Sequence, residues 1–289
     1  SDVCSSDLPD YSHKAVPESD YHVSTIDIVS HNGFCDGVGG AYGRTLGTDG
    51  AYNDATYLTW YTDSHDYGPN KGETRWQGDF AGAWSMLFTF RGIPIVYYGS
   101  EIRFAAGKPN DWPGSTSNTL NETGRAYYGE HLEGTVTATD FGEYTASGEV
   151  ANTLSAELSK HLRDLNRIRA AIPALQMGQY STEGHSGGWA GYKRRYTGKN
   201  KITNENVDSY ALVGVGAGTH SWEGVLNGDY VNVITGNTVT ASDGKISCAA
   251  SGSSDSALVV LVKTGLATAA PGKLAKESPF LGIQGSQNE

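Results

Sequence analysis

The chain is poor in cysteine and in positive charge, and it has no long hydrophobic run. Its three cysteines, Cys4, Cys35 and Cys248, have no zinc-binding spacing and no readable disulfide framework, so they allow any compartment. No apolar run approaches the ~18 residues of a membrane span, and no signal peptide is visible. Lys and Arg number 21 against 32 Asp and Glu, a net charge of −11, and an acidic surface repels nucleic-acid phosphates. The sequence thus argues against nucleic-acid and membrane partners and leaves neutral ligands such as polysaccharides open.

Glycine and tyrosine, by contrast, are abundant. The 38 glycines in 289 residues exceed the usual share of ~7% and indicate many tight turns. The 17 tyrosines suit sugars, because a flat ring covers the apolar face of a pyranose while its hydroxyl reaches polar groups. Tyrosine is equally typical of β-rich secreted proteins, and composition gives the two interpretations equal weight.

The hydrophobic pattern up to Pro173 alternates short apolar runs with amphipathic segments. It predicts strands at residues 22–29, 55–63 and 93–98, and helices at 77–91 and 154–172, the second of them stopped by Pro173. The run 93–98 is continuous, as in parallel strands that are covered on both faces. Residues 33–53 are expected to hold at most a short helix, and residues 107–151 to form a long polar loop. The alternation indicates an α/β unit.

Beyond Pro173 the pattern changes to short alternating strands. Asn227-Gly228 and Asp243-Gly244 are turn signals. The chain from about residue 178 onwards is therefore predicted to form a small antiparallel β-sandwich. Its strands are expected at residues 189–196, 209–215, 230–234 and 258–262.

Two segments about thirty residues apart pass from apolar into polar residues. Residues 61–66 read Tyr-Thr-Asp-Ser-His-Asp, and residues 92–101 read Gly-Ile-Pro-Ile-Val-Tyr-Tyr-Gly-Ser-Glu. The carboxyl ends of parallel strands meet at one edge, so Asp66, its neighbour His65, and Glu101 are candidates for one cleft. The alternatives are structural: Asp66 capping a following helix, and Glu101 binding loop amides, which is given equal weight with a site role.

These segments resemble the alpha-amylase family of glycoside hydrolases. The first is similar to the family motif Phe-x-Asp-Asn-His-Asp of the seventh barrel strand, and the second matches Gly-x-Pro-x-x-Tyr-Tyr-Gly-x-Glu of the eighth. Leu165-Asn166-x-Ile168-Arg169, followed by Pro173-Ala174-Leu175, looks like the last barrel helix leading into a C-terminal β domain. The resemblance covers roughly residues 20–263. It implies the C-terminal portion, about strands 6–8, of a (β/α)8 TIM barrel in an α/β fold, followed by an antiparallel β-sandwich domain.

The resemblance also implies site residues. Asp66 would be the third catalytic carboxylate, which holds sugar hydroxyls more tightly as the ring flattens towards an oxocarbenium ion. His65 and Glu101 would bind the same substrate, and Asp111 and Arg125 would reach more distant sugars, although a solvated surface pair is the favoured interpretation for those two. No metal ligand is assigned, and no cofactor is expected in this segment.

The departures from the family pattern concern the beginning of the chain. Retaining hydrolysis needs a nucleophile and a general acid, which the family places in a Gly-x-Arg-x-Asp strand and in a fifth-strand Glu. Neither is found, and residues 23–29 look like the sixth strand. The chain is therefore expected to be a fragment that is inactive by itself. No calcium site is expected in this segment, and calcium binding stays open only for the full-length protein.

The expected divisions are residues 1–8 as a sequencing-adapter artefact, 9–175 as a partial (β/α)8 catalytic barrel, 176–263 as the C-terminal β domain, and 264–289 as a linker or disordered tail. The parent is interpreted as an extracellular or periplasmic enzyme that cleaves α-1,4-glucosidic bonds of starch-like glucans with retention. The alternatives are a non-catalytic carbohydrate-binding protein and a related transglycosylase or debranching enzyme. A dinucleotide-binding domain ranks low, because no Gly-x-Gly-x-x-Gly joins a strand to a helix.

Overall fold

The structure, a computed structural model, describes residues 26–49, 55–62, 80–102, 129–138, 144–200, 203–254, 256–268, 270–272 and 274. The helices of this part are α1 (Ile28–Gly33), α2 (Gly37–Thr48), α3 (Phe80–Thr89), α4 (Glu149–Ser155), α5 (Glu157–Ala171) and α6 (Pro173–Met177). None of them has the length and hydrophobicity needed to cross a lipid bilayer.

The N-terminal half contains a small parallel sheet. Strand β1 (Thr59–Tyr61) pairs in parallel with β2 (Ile93–Ile95), and Ile26 forms a parallel bridge to Thr59 on the other side of β1. Three chain segments thus run side by side in the predicted orientation. The described residues form no closed barrel.

Two of the predicted strands are shorter than expected. The expected strand 22–29 is limited, within the described residues, to the bridge at Ile26, because Asp27 caps α1 and the helix begins at Ile28. The expected strand 55–63 begins as a short 3-10 helix (Ala55–Tyr57) and becomes extended only at Thr59.

The glycine-rich segment 33–53 holds a longer helix than predicted. Helix α2 has 12 residues, and its glycines permit close packing instead of breaking it. A Cβ on Gly33 would lie 2.6 Å from the Ala41 Cα, and a Cβ on Gly40 would lie 2.8 Å from the Gly33 carbonyl oxygen. The backbones of α1 and α2 therefore approach each other at a distance that only glycine allows.

The predicted helix 154–172 is two helices. Ala156 has extended backbone angles (φ −57°, ψ 145°) and separates α4 from α5. Ile172 is extended because it precedes Pro173, and α5 ends before it. Pro173 does not end the helical region, since it opens α6 at a first-turn position where its missing N–H has no cost.

The segment predicted as a long polar loop, 107–151, contains regular structure. It holds a short 3-10 helix (Gly129–Leu132), the first residues of α4, and an antiparallel hairpin of β3 (Thr135–Ala138) and β4 (Tyr144–Ser147). Alternating Thr and apolar residues suit an exposed hairpin of this kind.

The C-terminal half is an antiparallel β-sandwich, as predicted. One sheet has six strands in the order β11-β10-β13-β8-β7-β5, and the other has three in the order β12-β9-β6. The sequence pattern located four of these strands and missed five, none of them longer than five residues. The bounds are β5 (Gln179–Ser181), β6 (His185–Ser186), β7 (Ala190–Lys199), β8 (Asn206–Val215), β9 (Thr219–Glu223), β10 (Gly228–Asn232), β11 (Thr238–Ala241), β12 (Lys245–Ala249) and β13 (Leu258–Lys263).

The six-stranded sheet is buried on both faces. Along β8, Tyr210 and Leu212 face the three-stranded sheet with Trp222. The alternate residues Ala211 and Val213 join a second core that includes Trp84 of α3. Successive side chains of a strand point to opposite faces, so one sheet is packed both against the small sheet and against the helices of the N-terminal half. The chain after β13 also contacts this core through Leu274, which is buried and whose N–H donates to the Val233 carbonyl oxygen.

Candidate functional site

Of the five site residues predicted from sequence, the structure describes Glu101. His65, Asp66, Asp111 and Arg125 lie outside the described residues, and their roles stay predictions. Glu101 is half-buried in a short 3-10 helix (Ser100–Ile102) that follows β2. Its backbone carbonyl oxygen accepts a hydrogen bond from the Ser159 hydroxyl of α5 at 3.4 Å.

The parallel strands bring the two motif segments to one edge of the sheet. Tyr61 is in register with Ile95, so β1 and β2 end at the same level. The chain continues from Tyr61 into Thr62, four residues before Asp66, and from Ile95 through a turn at Gly99 (φ 85°) to Glu101. The segment that carries Asp66 and the helix that carries Glu101 therefore start from neighbouring strand ends.

A histidine that sequence reasoning missed fixes the end of β1. The Nδ1 of His31 donates to the carbonyl oxygen of Tyr61 at 2.7 Å, and the two rings lie 4.0 Å apart. His31 is buried on α1. It holds the last residue of β1, which precedes the Asp66 segment in the sequence. A lone histidine on a short helix gave no sequence signal for this role.

A buried ionic network lies beside β1. Asp27 accepts hydrogen bonds from the backbone N–H and the hydroxyl of Ser30 at 3.0 and 2.6 Å. It also forms an ion pair with Arg91 at 3.0 Å. Arg91 also pairs with Asp49, whose carboxylate accepts from the Tyr180 hydroxyl. Burial raises the pKa of Asp49 to about 6, against the opposing pull of Arg91. The oxygens of Asp27 are occupied by the helix cap and the arginine, so the geometry makes Asp27 a structural carboxylate.

Two further arginines bind backbone carbonyl oxygens of neighbouring elements. Arg194 of β7 is fully buried and donates to the carbonyl oxygens of Gly178, Thr89 and Leu175, the first at 2.7 Å. Arg169 of α5 donates to the carbonyl of Gly92, directly before β2, at 2.8 Å. Burial lowers the pKa of Arg194 to about 9 and that of Arg169 to about 10. Arg194 thus joins β7 to the end of α3, and Arg169 joins α5 to the segment that leads into β2.

A serine–histidine pair between α3 and α5 has the residue types of a nucleophilic site but not its geometry. The Ser85 hydroxyl lies 3.0 Å from the Nε2 of His161 and donates to the Ala81 carbonyl oxygen at 2.9 Å. The same Nε2 lies 2.9 Å from that carbonyl, which can only accept, so Nε2 carries a proton and is not a base towards Ser85. Burial lowers the pKa of His161. The pair is a packing contact between two helices.

Among the residues that the structure describes, no group of three or more His, Cys, Asp or Glu side chains lies close enough together to bind a metal ion. Glu101 and the strand ends therefore remain the described part of the candidate site. Glu101 supplies a carboxylate, and Tyr97 and Tyr98, whose rings lie 4.6 Å apart, precede it in the chain and carry phenol hydroxyls. Such groups accept from and donate to sugar hydroxyls.

No family model matches the sequence. Solved structures do share its fold. An alpha-amylase from Geobacillus thermoleovorans, complexed with acarbose, is 16% identical with a TM-score of 0.53 over 85% of this chain and 49% of its own. An Anoxybacillus alpha-amylase is 19% identical with a TM-score of 0.52 over 83% of this chain and 48% of its own.

A third structure, a variant of AmyP in complex with maltotriose, is 14% identical with a TM-score of 0.54, and it is matched over 83% of this chain and 50% of its own. At these identities the likeness is one of fold. The chain spans about half the length of the structures it matches. The resemblance that the motifs predicted is confirmed at that level: the chain has the fold of alpha-amylase-family structures.

Proposed function

We propose that the chain is part of an alpha-amylase-type glycoside hydrolase whose parent protein cleaves α-1,4-glucosidic bonds of starch-like glucans with retention. The observation that carries the proposal is the parallel register of Tyr61 and Ile95. It starts the Asp66 segment and the Glu101 helix from adjacent strand ends, where barrel enzymes bind their substrates. Asp66 would hold sugar hydroxyls as the third carboxylate, and His65 would donate to the same sugar.

The fold likeness supports an α-glucan as the ligand. Two of the matched structures are complexes with acarbose and with maltotriose. Glu101, Asp111 and Arg125 are proposed to contact the glucan away from the cleaved bond. A calcium ion, if the full-length protein has one, is assigned to the remainder of that protein, and the parent is proposed to act outside the cell or in the periplasm.

The 289-residue chain by itself is proposed to lack hydrolase activity. Retention requires two carboxyl groups about 5 Å apart, one as nucleophile and one as acid. Asp27 and Asp49 are the carboxylates bound to Arg91 near the sheet, and both are committed to that ion pair. A lone third carboxylate binds a sugar but provides no covalent route to products.

The proposal is tested by separating binding from turnover. Calorimetric titration of the chain with maltotriose and with acarbose should show binding, and Asp66→Asn should raise the dissociation constant at least tenfold. Incubation of the chain with soluble starch should release no reducing sugar. Asp243→Asn is the matched control, because Asp243 lies in an exposed turn at φ 52°, which Asn adopts readily. Release of reducing sugar would refute the proposed inactivity. Binding that both variants retain would favour a carbohydrate-binding protein with its site elsewhere.

A further inference from the structure

A tryptophan lies at the surface of the β-sandwich. Trp189 directly precedes β7 and is 36% exposed, whereas Trp60, Trp84 and Trp222 are completely buried. Trp189 belongs to neither of the two cores that the described residues form. Leaving a large apolar ring in water forgoes the free energy that its burial would contribute. Core packing therefore does not explain why a tryptophan stands at this position.

The backbone of the neighbouring strand holds the indole of Trp189 in place. The Trp189 N–H donates to the Val215 carbonyl oxygen at 2.8 Å. The ring lies against Gly216, where a Cβ would be 3.0 Å from the Cγ and the Cδ2 of the indole. Gly216 also has a φ of 102°, which favours glycine. One side of the ring is thus supported by backbone, although the side chain is not buried.

A row of serines crosses the outer face of the three-stranded sheet. Ser186 is in register with Ser221, and Ser221 is in register with Ser247. The adjacent residues Trp222 and Ile246 point into the core, so the alternation of side chains along a strand places the serines outside. The hydroxyls of Ser221 and Ser247 lie 2.7 Å apart. The sheet therefore presents a line of hydroxyl groups to the solvent.

Two glycines connect the serine row to the tryptophan. The chain passes from Ser186 of β6 to Trp189 through Gly187 and Gly188, which are both exposed. Three residues span at most about 11 Å. Gly187 lies so close to the Thr219 carbonyl oxygen that a Cβ would collide with it. No side chain of this connection separates the indole from the serines.

The tryptophan and the hydroxyls form one uncharged surface. This surface, the serine–tryptophan patch, consists of Ser186, Trp189, Thr219, Ser221 and Ser247. The next residues of the same face, Glu223 and Lys245, form an ion pair with each other at 2.8 Å. Hydroxyls both donate and accept hydrogen bonds, and an indole offers a flat apolar ring with a polar N–H. The patch therefore suits a neutral ring that carries hydroxyl groups of its own.

We propose that the serine–tryptophan patch is a binding site for an uncharged oligosaccharide. One sugar ring lies against the indole of Trp189, and the adjoining sugars exchange hydrogen bonds with the serine hydroxyls. The patch itself is inferred from the indole and the hydroxyls of the sandwich. The choice of an α-glucan as its ligand rests on the proposed function.

Fluorine NMR of the 289-residue chain, labelled with fluorotryptophan, tests the site. Trp189→Phe identifies the Trp189 signal, because that signal disappears. Titration with maltoheptaose should shift the Trp189 signal saturably, and Asp66→Asn should leave this shift unchanged. The calorimetric effect of Asp66→Asn tests the proposed function separately, so the two proposals fail in different measurements. A Trp189 signal that moves with cellopentaose but not with maltoheptaose would support a saccharide site and contradict the α-glucan.

The serine hydroxyls are tested by a matched pair of double variants. Ser221→Val, Ser247→Val removes both hydroxyls but keeps side chains that favour strands, and it should raise the dissociation constant read from the Trp189 signal at least fivefold. Ser221→Thr, Ser247→Thr keeps both hydroxyls and should bind within twofold of the wild type.

Thr238→Val is the control, because Thr238 is an exposed hydroxyl residue on β11 of the other sheet. It should leave the dissociation constant unchanged. The proposal is overturned by a Trp189 signal that moves with neither saccharide, or by a valine variant that binds as tightly as the wild type.

Discussion

Arg91 and Asp27 form an ion pair in which both side chains are almost completely removed from water, 2% and 0% exposed, with 3.0 Å between the Arg91 Nη2 and Asp27 Oδ2 atoms. Arg91 directly precedes the turn into β2, and Asp27 directly follows the bridge at Ile26. Strand β1 lies between these two segments. The ion pair therefore joins the outer two of three parallel segments across the middle one.

Removing the charge of Asp27 should destabilise the chain strongly. Asp27→Asn keeps a side-chain oxygen for the α1 cap but leaves the buried guanidinium of Arg91 paired with Asp49 alone. Breaking one partner of a buried ion pair costs about 3 kcal/mol of unfolding free energy. Chemical denaturation monitored by tryptophan fluorescence measures it. Asp36→Asn, which breaks the exposed pair with Arg44, should cost less than about 1 kcal/mol, and equal effects would contradict the structural role given to Asp27.

The neighbouring residues Arg194 and Arg195 should respond differently to the same substitution. Arg194→Met leaves three buried carbonyl acceptors without their donor and should cost about 2–3 kcal/mol of unfolding free energy. Arg195 pairs with Asp208 at 2.8 and 2.9 Å, and the two side chains are 24% and 27% exposed, so Arg195→Met should cost about 1 kcal/mol or less. Urea denaturation of both variants decides it, and a larger loss for Arg195→Met would show that the carbonyl contacts of Arg194 contribute little.

The sequence predicted best those strands whose apolar side chains are buried on one or both faces of the sheet. In β8 the buried residues alternate between two cores, and residues 209–215 were recognised as a strand. The helix boundaries were predicted less well, because the break at Ala156 has no Gly or Pro signal in the sequence. The ionic network was not predictable either, since Asp27, Asp49 and Arg91 are far apart in sequence and meet only after folding.

The glycines of α2 should divide into two classes on substitution by alanine. Gly43→Ala should raise the unfolding free energy by about 0.5–1 kcal/mol, because its Cβ meets nothing and alanine favours the helix. Gly40→Ala should lower it by about 1–3 kcal/mol, because a Cβ there would lie 2.8 Å from the Gly33 backbone oxygen and 2.5 Å from the Asp36 Cβ. Thermal denaturation of the pair measures both. If both variants gain stability, α1 and α2 do not pack as closely as described.

The His185–His220 pair predicts how acid affects the sandwich. The His185 Nε2 lies 3.0 Å from the His220 Nδ1, and the Nε2 of His220 donates to the Gly216 carbonyl at 2.9 Å. Burial, together with His220, lowers the pKa of His185 to about 4. The unfolded chain has a histidine pKa of about 6.5, so below that pH it binds more protons than the folded chain, and the stabilising contribution is lost as the pH falls from about 6.5 towards 4.

This loss can be separated from other titrations by comparing the wild type with His185→Gln. Asp49, whose pKa is raised to about 6, acts in the opposite direction, because its folded form holds a proton more tightly and gains stability as the pH falls. Its contribution is common to both proteins and cancels in their difference. Denaturation at pH 7, 5.5 and 4.5 should show the wild type losing about 1–2 kcal/mol more than His185→Gln over this range. Parallel pH profiles would mean that His185 titrates in the folded chain as it does in water, and that the contact with His220 does not hold it neutral.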